Sequence, residues 1–186
     1  MKLTLKKHKG GKDLEKKLKK AGLLVSNYVN ELLAKLEPRK KEEELEIAIL
    51  TLAELGLPAG GNFEEIKSKA EEQGLDLCPP DVGPFLGLEL KNQPNGEWLR
   101  IAMKPITDSD GVLRVFGVAR DGDGLWLGTI WFWHGRVWNP DSRWVFVRSR
   151  KSDLTSLDSG TSGIYSLNER VKTLEKDMEK VKNLFK

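Results

Sequence analysis

The amino-acid sequence predicts an α+β fold, an antiparallel sheet with helices packed on it, and three observations carry that expectation. Beyond Glu97 the chain alternates β-type runs, EWLRIAM, VLRVFGVA, GLWLGTI and RWVFVR, with turn formers in PITDSDG, RDGDG and WNPDS. Before them stands a capped amphipathic stretch between Asn62 and Gly74. The length, 186 residues with 39% hydrophobic content, suffices for one core with accessory segments at the ends. The chain divides into a basic helical segment (1–44), the α+β domain (45–150), a linker (151–163) and a coiled-coil oligomerisation helix (164–186).

The first twenty residues hold nine lysines against Asp13 and Glu15, a local charge of +7 in a chain of net +3. Basicity confined to one end does not describe a nucleic-acid groove, but that end can touch phosphate or an anionic surface. Lys12 to Lys20 reads as a Lys/Glu helix stopped by Gly22. Ser26 can cap a second helix whose Tyr28, Val29, Leu32, Leu33 and Leu36 share a face, broken by Pro38 and the run Arg39-Lys40-Lys41-Glu42-Glu43-Glu44. This pair must dock on the main domain or on another chain.

Leu45 to Leu52 is a β-branched apolar run that suits a strand or the end of a buried helix, with the strand preferred, and PAGGN is a turn. Asn62 and Glu65 form a capping box, Phe63, Ile66 and Ala70 share a helical face, and Gly74 stops it. Leu77 to Pro84 (LCPPDVGP) reads as a rigid connector in which Cys78 is a packing thiol. One cysteine excludes an internal disulfide, and with His8 and His134 it gives no zinc-spaced ligand set. No metal or cofactor is expected. No run of about 18 apolar residues is present, so the expectation is a soluble cytoplasmic protein without membrane contact.

Asp108-Ser109-Asp110-Gly111 and Asp121-Gly122-Asp123-Gly124 resemble the start of calcium loops. An EF-hand needs Glu at the twelfth position, where these have Ala119 and Phe132, so tight turns are the preferred reading. No phosphate loop or nucleophile with a supporting base is present, and catalysis is not expected.

Five of the six tryptophans, Trp126, Trp131, Trp133, Trp138 and Trp144, lie in GLWLGTIWFWHGRVWNPDSRWVF (124–146). They either fill a core between sheet and loop or belong to a binding face. Interleaving with Gly, His, Arg and Thr favours the face.

From Leu45 onward the chain resembles the variable proteins of diversity-generating retroelements, on EWLRIAMKPITDSDG, RVFGVARDGDGLWL and the closing WNPDSRWVFVR. The resemblance implies a C-type lectin-like fold whose patch near 128–142 is diversified at AAY codons, which cannot yield Trp, Lys, Glu, Gln or Met. It implies ligand contact by Gly128, Thr129, Ile130, Phe132, His134, Gly135, Arg136, Val137 and Ser142. Trp126, Trp131, Trp133, Trp138 and Trp144 would be the fixed scaffold. The partner would be a protein or other macromolecule. The competing expectation is a nucleic-acid-associated accessory protein that uses the N-terminal lysines.

Ser152 to Gly163 has linker composition. Beyond it Ile164, Leu167, Val171, Leu174, Met178, Val181 and Phe185 alternate at three and four residues, an a/d seam over three heptads. Arg170 and Asp177 at g oppose Glu175 and Lys182 at e, which suits parallel helices, and a homotrimer is expected, the alternative being a helix that folds back on its own domain.

Overall fold

The computed structural model describes residues 1–133 and 135–149. Its strands are β1 (Lys2–Leu5), β2 (Leu24–Val25), β3 (Glu43–Thr51), β4 (Leu75–Asp76), β5 (Trp98–Ile101), β6 (Ile106–Thr107), β7 (Leu113–Asp121), β8 (Gly124–Phe132) and β9 (Arg143–Arg148). Its helices are α1 (Gly11–Lys20), α2 (Asn27–Ala34), α3 (Phe63–Glu72) and α4 (Val82–Glu89). The fold is α+β. One sheet runs β1-β3-β9-β5-β7-β8-β2, with β4 added to β9 and β6 to β7. Pairing is antiparallel except for β5 with β9 and β2 with β8.

The β7–β8 hairpin is the longest ladder, with Asp121 opposite Gly124 at its turn. Arg114 through Ala119 are buried on both faces of β7, as a central strand requires. In α3 the Asn62 side chain accepts the N–H groups of Glu64 and Glu65, while the Glu65 carboxylate accepts the Asn62 N–H. Such a cap contributes about 1 kcal/mol, and it aims Phe63, Ile66 and Ala70 into the core.

The N-terminal segment differs from expectation. KLTL alternates, with Leu3 and Leu5 buried, and forms β1 antiparallel to β3. The lysines obscure that period of two. Leu14 and Leu18 of α1 and Val29, Leu32 and Leu33 of α2 belong to the same core cluster, and residues 1–149 form one compact unit. The boundary expected between 44 and 45 falls inside β3. Ser26 holds the cap position of α2 but makes no side-chain cap bond.

The connector expected at Leu77 to Pro84 ends in helix, because α4 starts at Val82 and takes its last three residues. Pro84 stands in its first turn, where a missing N–H costs no intrahelical bond. Gly83 is required by close packing: a Cβ there would lie 2.7 Å from the Phe116 Cβ. Among the described residues no helix is long and apolar enough to cross a membrane. Arg150, the linker and the heptads from Ile164 to Phe185 lie outside the described residues.

Candidate ligand-binding surface

The segment between β8 and β9 rests on an aromatic base. Trp144 lies in β9 between Leu50 of β3 and Arg100 of β5 and is fully buried. Trp138 packs on it edge to face at 5.1 Å between ring centroids. Phe63, the first residue of α3, meets Trp144 at 5.9 Å and Phe132, the last of β8, at 4.8 Å. Among the described residues the buried indole nitrogens of Trp138 and Trp144 have no partner. Unsatisfied donors of this kind each cost about 1–3 kcal/mol, so ring packing must outweigh them.

Backbone bonds fasten the second half of the segment to that base. The Gly61 N–H donates to the Trp138 carbonyl at 3.1 Å, and the Trp138 N–H donates back to Gly61 at 2.9 Å. Leu52 and Ala53 donate to the carbonyls of Ser142 and Pro140. Gly60 has φ +80°, and a Cβ on it would stand 2.1 Å from the Trp138 oxygen. The PAGGN turn is therefore a clamp, open only to glycine at that point.

The first half is different. Trp131 is 59% exposed, Trp133 51% and Val137 66%. The Arg136 guanidinium carbon lies 3.7 Å from the Trp138 ring centroid and 4.9 Å from that of Trp133, and Nη1 donates to the Trp131 carbonyl at 2.9 Å. Arg100 approaches the Trp138 ring at 5.4 Å. Trp133, Arg136, Trp138 and Arg100 thus form a ladder of alternating rings and cations from surface to base. Burial, and then the charge of Arg136, lower the pKa of Arg100; burial lowers that of Arg136. Beyond Trp131, Arg114 stacks on Tyr28 at 3.6 Å and is ion-paired with the buried Asp108.

The expected contact residues separate by strand phase. Gly135 and Val137 are exposed, and Thr129 and Arg136 are half-buried. Gly128, Ile130, Phe132 and Ser142 are buried, which corrects their expected role as contacts. In β8 alternate residues turn inward, so Gly128 lies beneath the Trp98 ring, Ile130 fills the space beside Gly117, and Phe132 meets Phe63. His134 lies outside the described residues. Among the expected scaffold tryptophans, Trp138 and Trp144 are buried and Trp126 is half-buried, its indole N–H on Asp121 at 2.8 Å. Trp131 and Trp133 are a correction: they stand in solvent. Trp98, 46% exposed, joins the neighbouring surface. Sequence reasoning missed it together with Arg100, Phe63 and the Gly60-Gly61 clamp; the PAGGN turn was the available signal.

The two Asp-Gly stretches are held by their own chain. Asp108 accepts the N–H groups of Asp110 and Val112 and the guanidinium of Arg114. Burial alone would raise its pKa, but these donors hold it below the ordinary carboxylate value. Asp121 accepts the indole N–H of Trp126 and the N–H groups of Asp123 and Gly124, and its pKa is lowered in turn. No family model matches the chain, and comparison with curated proteins and with solved structures gives no match.

Proposed function

We propose that the chain is a non-catalytic ligand-binding protein that recognises a macromolecular partner through the surface around Trp131, Trp133, Gly135, Arg136 and Val137. The observation that carries this reading is the exposure of three large apolar side chains on seven consecutive positions mounted on a fastened aromatic base. Exposed large side chains mounted on a fastened base are what recognition surfaces need, with Trp and Arg as anchors. The reading remains that of a diversified display protein with a C-type lectin-like domain. Its support is that β3 and β9, near the start and end of residues 43–148, pair antiparallel, with two helices and the β5-β7-β8 excursion between them.

The test is a library randomised at Thr129, Gly135, Arg136 and Val137 and selected against a single immobilised target such as serum albumin. Folded members that bind the target are expected; a library that largely fails to fold removes the reading. A near-copy of the codons for Gly124 to Arg148 beside a reverse transcriptase gene would test the family assignment separately.

The heptads from Ile164 to Phe185 support a homotrimer, in which three such surfaces gain affinity for a repetitive target, about 10²–10⁴-fold where the linkers let them engage together. Sedimentation equilibrium on the full chain and on one ending at Lys151 should give trimer and monomer. The nucleic-acid reading has less support, since Lys2, Lys17 and Lys19 are ion-paired with Glu44, Asp13 and Glu15. It requires DNA binding that weakens steeply with salt and is lost with Lys6, Lys7, Lys16 and Lys17.

A further inference from the structure

Two motifs left without a role by the reading above, PRKK (38–41) and CPPD (78–81), face one cavity of about 830 Å³ together with Lys104, Pro105 and Ile106. We propose that this cavity is a second binding site, and that it takes a small amphipathic anion: an apolar body with a carboxylate or phosphate head. Its volume lies within the range of small-molecule pockets, roughly 300–1,000 Å³. It shares no lining residue with the tryptophan surface.

The walls are apolar and stiff. Leu36, Pro38, Pro79, Pro80, Pro105 and Ile106 line them, and the four prolines offer no N–H to a ligand. Fixed prolines also keep the cavity formed before a ligand arrives, which lowers the entropic cost of binding. A part-buried network ties the two main walls together. Arg39 donates to both oxygens of Asp81, at 2.6 and 3.0 Å, and to Glu43 at 2.9 Å. The Gly10 N–H donates to His8 Nδ1, so Nε2 carries the ring proton, 3.3 Å from Asp81. Arg39 and Asp81 are therefore satisfied by the protein and act as a brace.

What remains for a ligand is positive charge. Lys35, Lys40, Lys41 and Lys104 line the cavity, with Glu37 as the carboxylate outside the brace. Lys35 donates to the Thr107 carbonyl, while Lys40, Lys41 and Lys104 have no ion-pair partner among the described residues. An apolar cavity with a cationic rim matches an apolar body with an anionic head and rejects a neutral or cationic one. Covalent chemistry is not part of the site: the Cys78 thiol donates to the Val145 carbonyl at 3.3 Å, and burial pushes its pKa far up.

Calorimetric titration of the full chain with decanoate, below its micelle concentration, tests the proposal. One site per chain is expected, with amide shifts around Lys40, Lys41, Asp81, Lys104 and Ile106. The pair Lys40→Glu and Lys104→Glu should weaken binding by at least about tenfold, and raised salt should weaken the unaltered chain. Lys16→Glu with Lys20→Glu changes net charge equally on the exposed side of α1 and should leave affinity within about twofold. Equal losses in both pairs overturn the proposal, as does 1-decanol binding as tightly as decanoate. Binding to phosphatidylglycerol vesicles with none to decanoate overturns it as well. Since the tryptophan surface is untouched by these variants, failure here leaves the display reading standing.

Discussion

The segments 131–137 and 138–146 are contiguous and comparably rich in large side chains, yet they are held in opposite ways. From Trp138 onward, backbone groups bond to Gly61, Leu52 and Ala53, and the Trp138 ring packs on Trp144, which in turn packs on Phe63. Trp131 and Phe132 still belong to β8, but from Trp133 to Val137 the segment is held by Arg136, which lies on the Trp138 ring and donates to the Trp131 carbonyl. Tryptophan content therefore does not decide burial. What decides it is which way the side chain leaves its strand and whether another element covers that face: Trp131 pairs opposite Arg114 yet points outward, whereas Trp144 lies between two strands beneath Trp138 and Phe63.

That contrast can be broken hardest at the base. Trp144→Ala or Phe132→Ala should cost about 3–5 kcal/mol, read as a lower urea midpoint at unchanged slope. Gly60→Ala should come next, at about 1–3 kcal/mol, since its positive φ and the approach of the Trp138 carbonyl leave no room for a Cβ. A Gly60→Ala variant as stable as the unaltered chain would show that the clamp does not hold the segment.

How far these features were legible in the sequence follows the same distinction. Helix α3 and the β7–β8 hairpin were readable because caps, periodicity and Asp-Gly turns are local. β1 was hidden by lysines flanking two buried leucines, and α4 by Gly83 and Pro84, which look like breakers yet fit a first turn against Phe116. Within the candidate surface the residues were located but not their direction. A strand's phase is set by its neighbours, and the pairing of β8 with β7 turned Ile130 and Phe132 inward and Trp131 outward. Arg100 and Trp98 arrive from β5, across pairings that no local pattern encodes.

A third, smaller effect concerns the flank of the exposed half, where Asp108 holds Arg114 beneath Tyr28 and Trp131. Its lowered pKa means that the unfolded chain binds the proton more tightly. The pair's contribution is complete above the ordinary carboxylate value of 3.8 and is lost as pH falls through the lower folded value. Urea midpoints measured downward from pH 6 should therefore fall below that point. Asp108→Asn should remove this part of the acid dependence; an unchanged acid limb would mean that other carboxylates carry it.

The smallest effect on stability belongs to the exposed residues, and it separates neighbours in the chain. Trp133→Ser and Val137→Ser should each shift stability by no more than about 0.5 kcal/mol, because both side chains are more than half exposed and neither supports a strand. Phe132, one position before Trp133, belongs to the costly group. Binding should respond in the reverse sense: for a target selected on the unaltered surface, Trp133→Ser should weaken affinity by about tenfold or more, as truncated aromatic anchors do. Urea midpoints and target affinities measured on the same preparations give both halves of the test. If Trp133→Ser destabilises the fold as much as Phe132→Ala, the tryptophan belongs to the core and the surface reading fails at its centre.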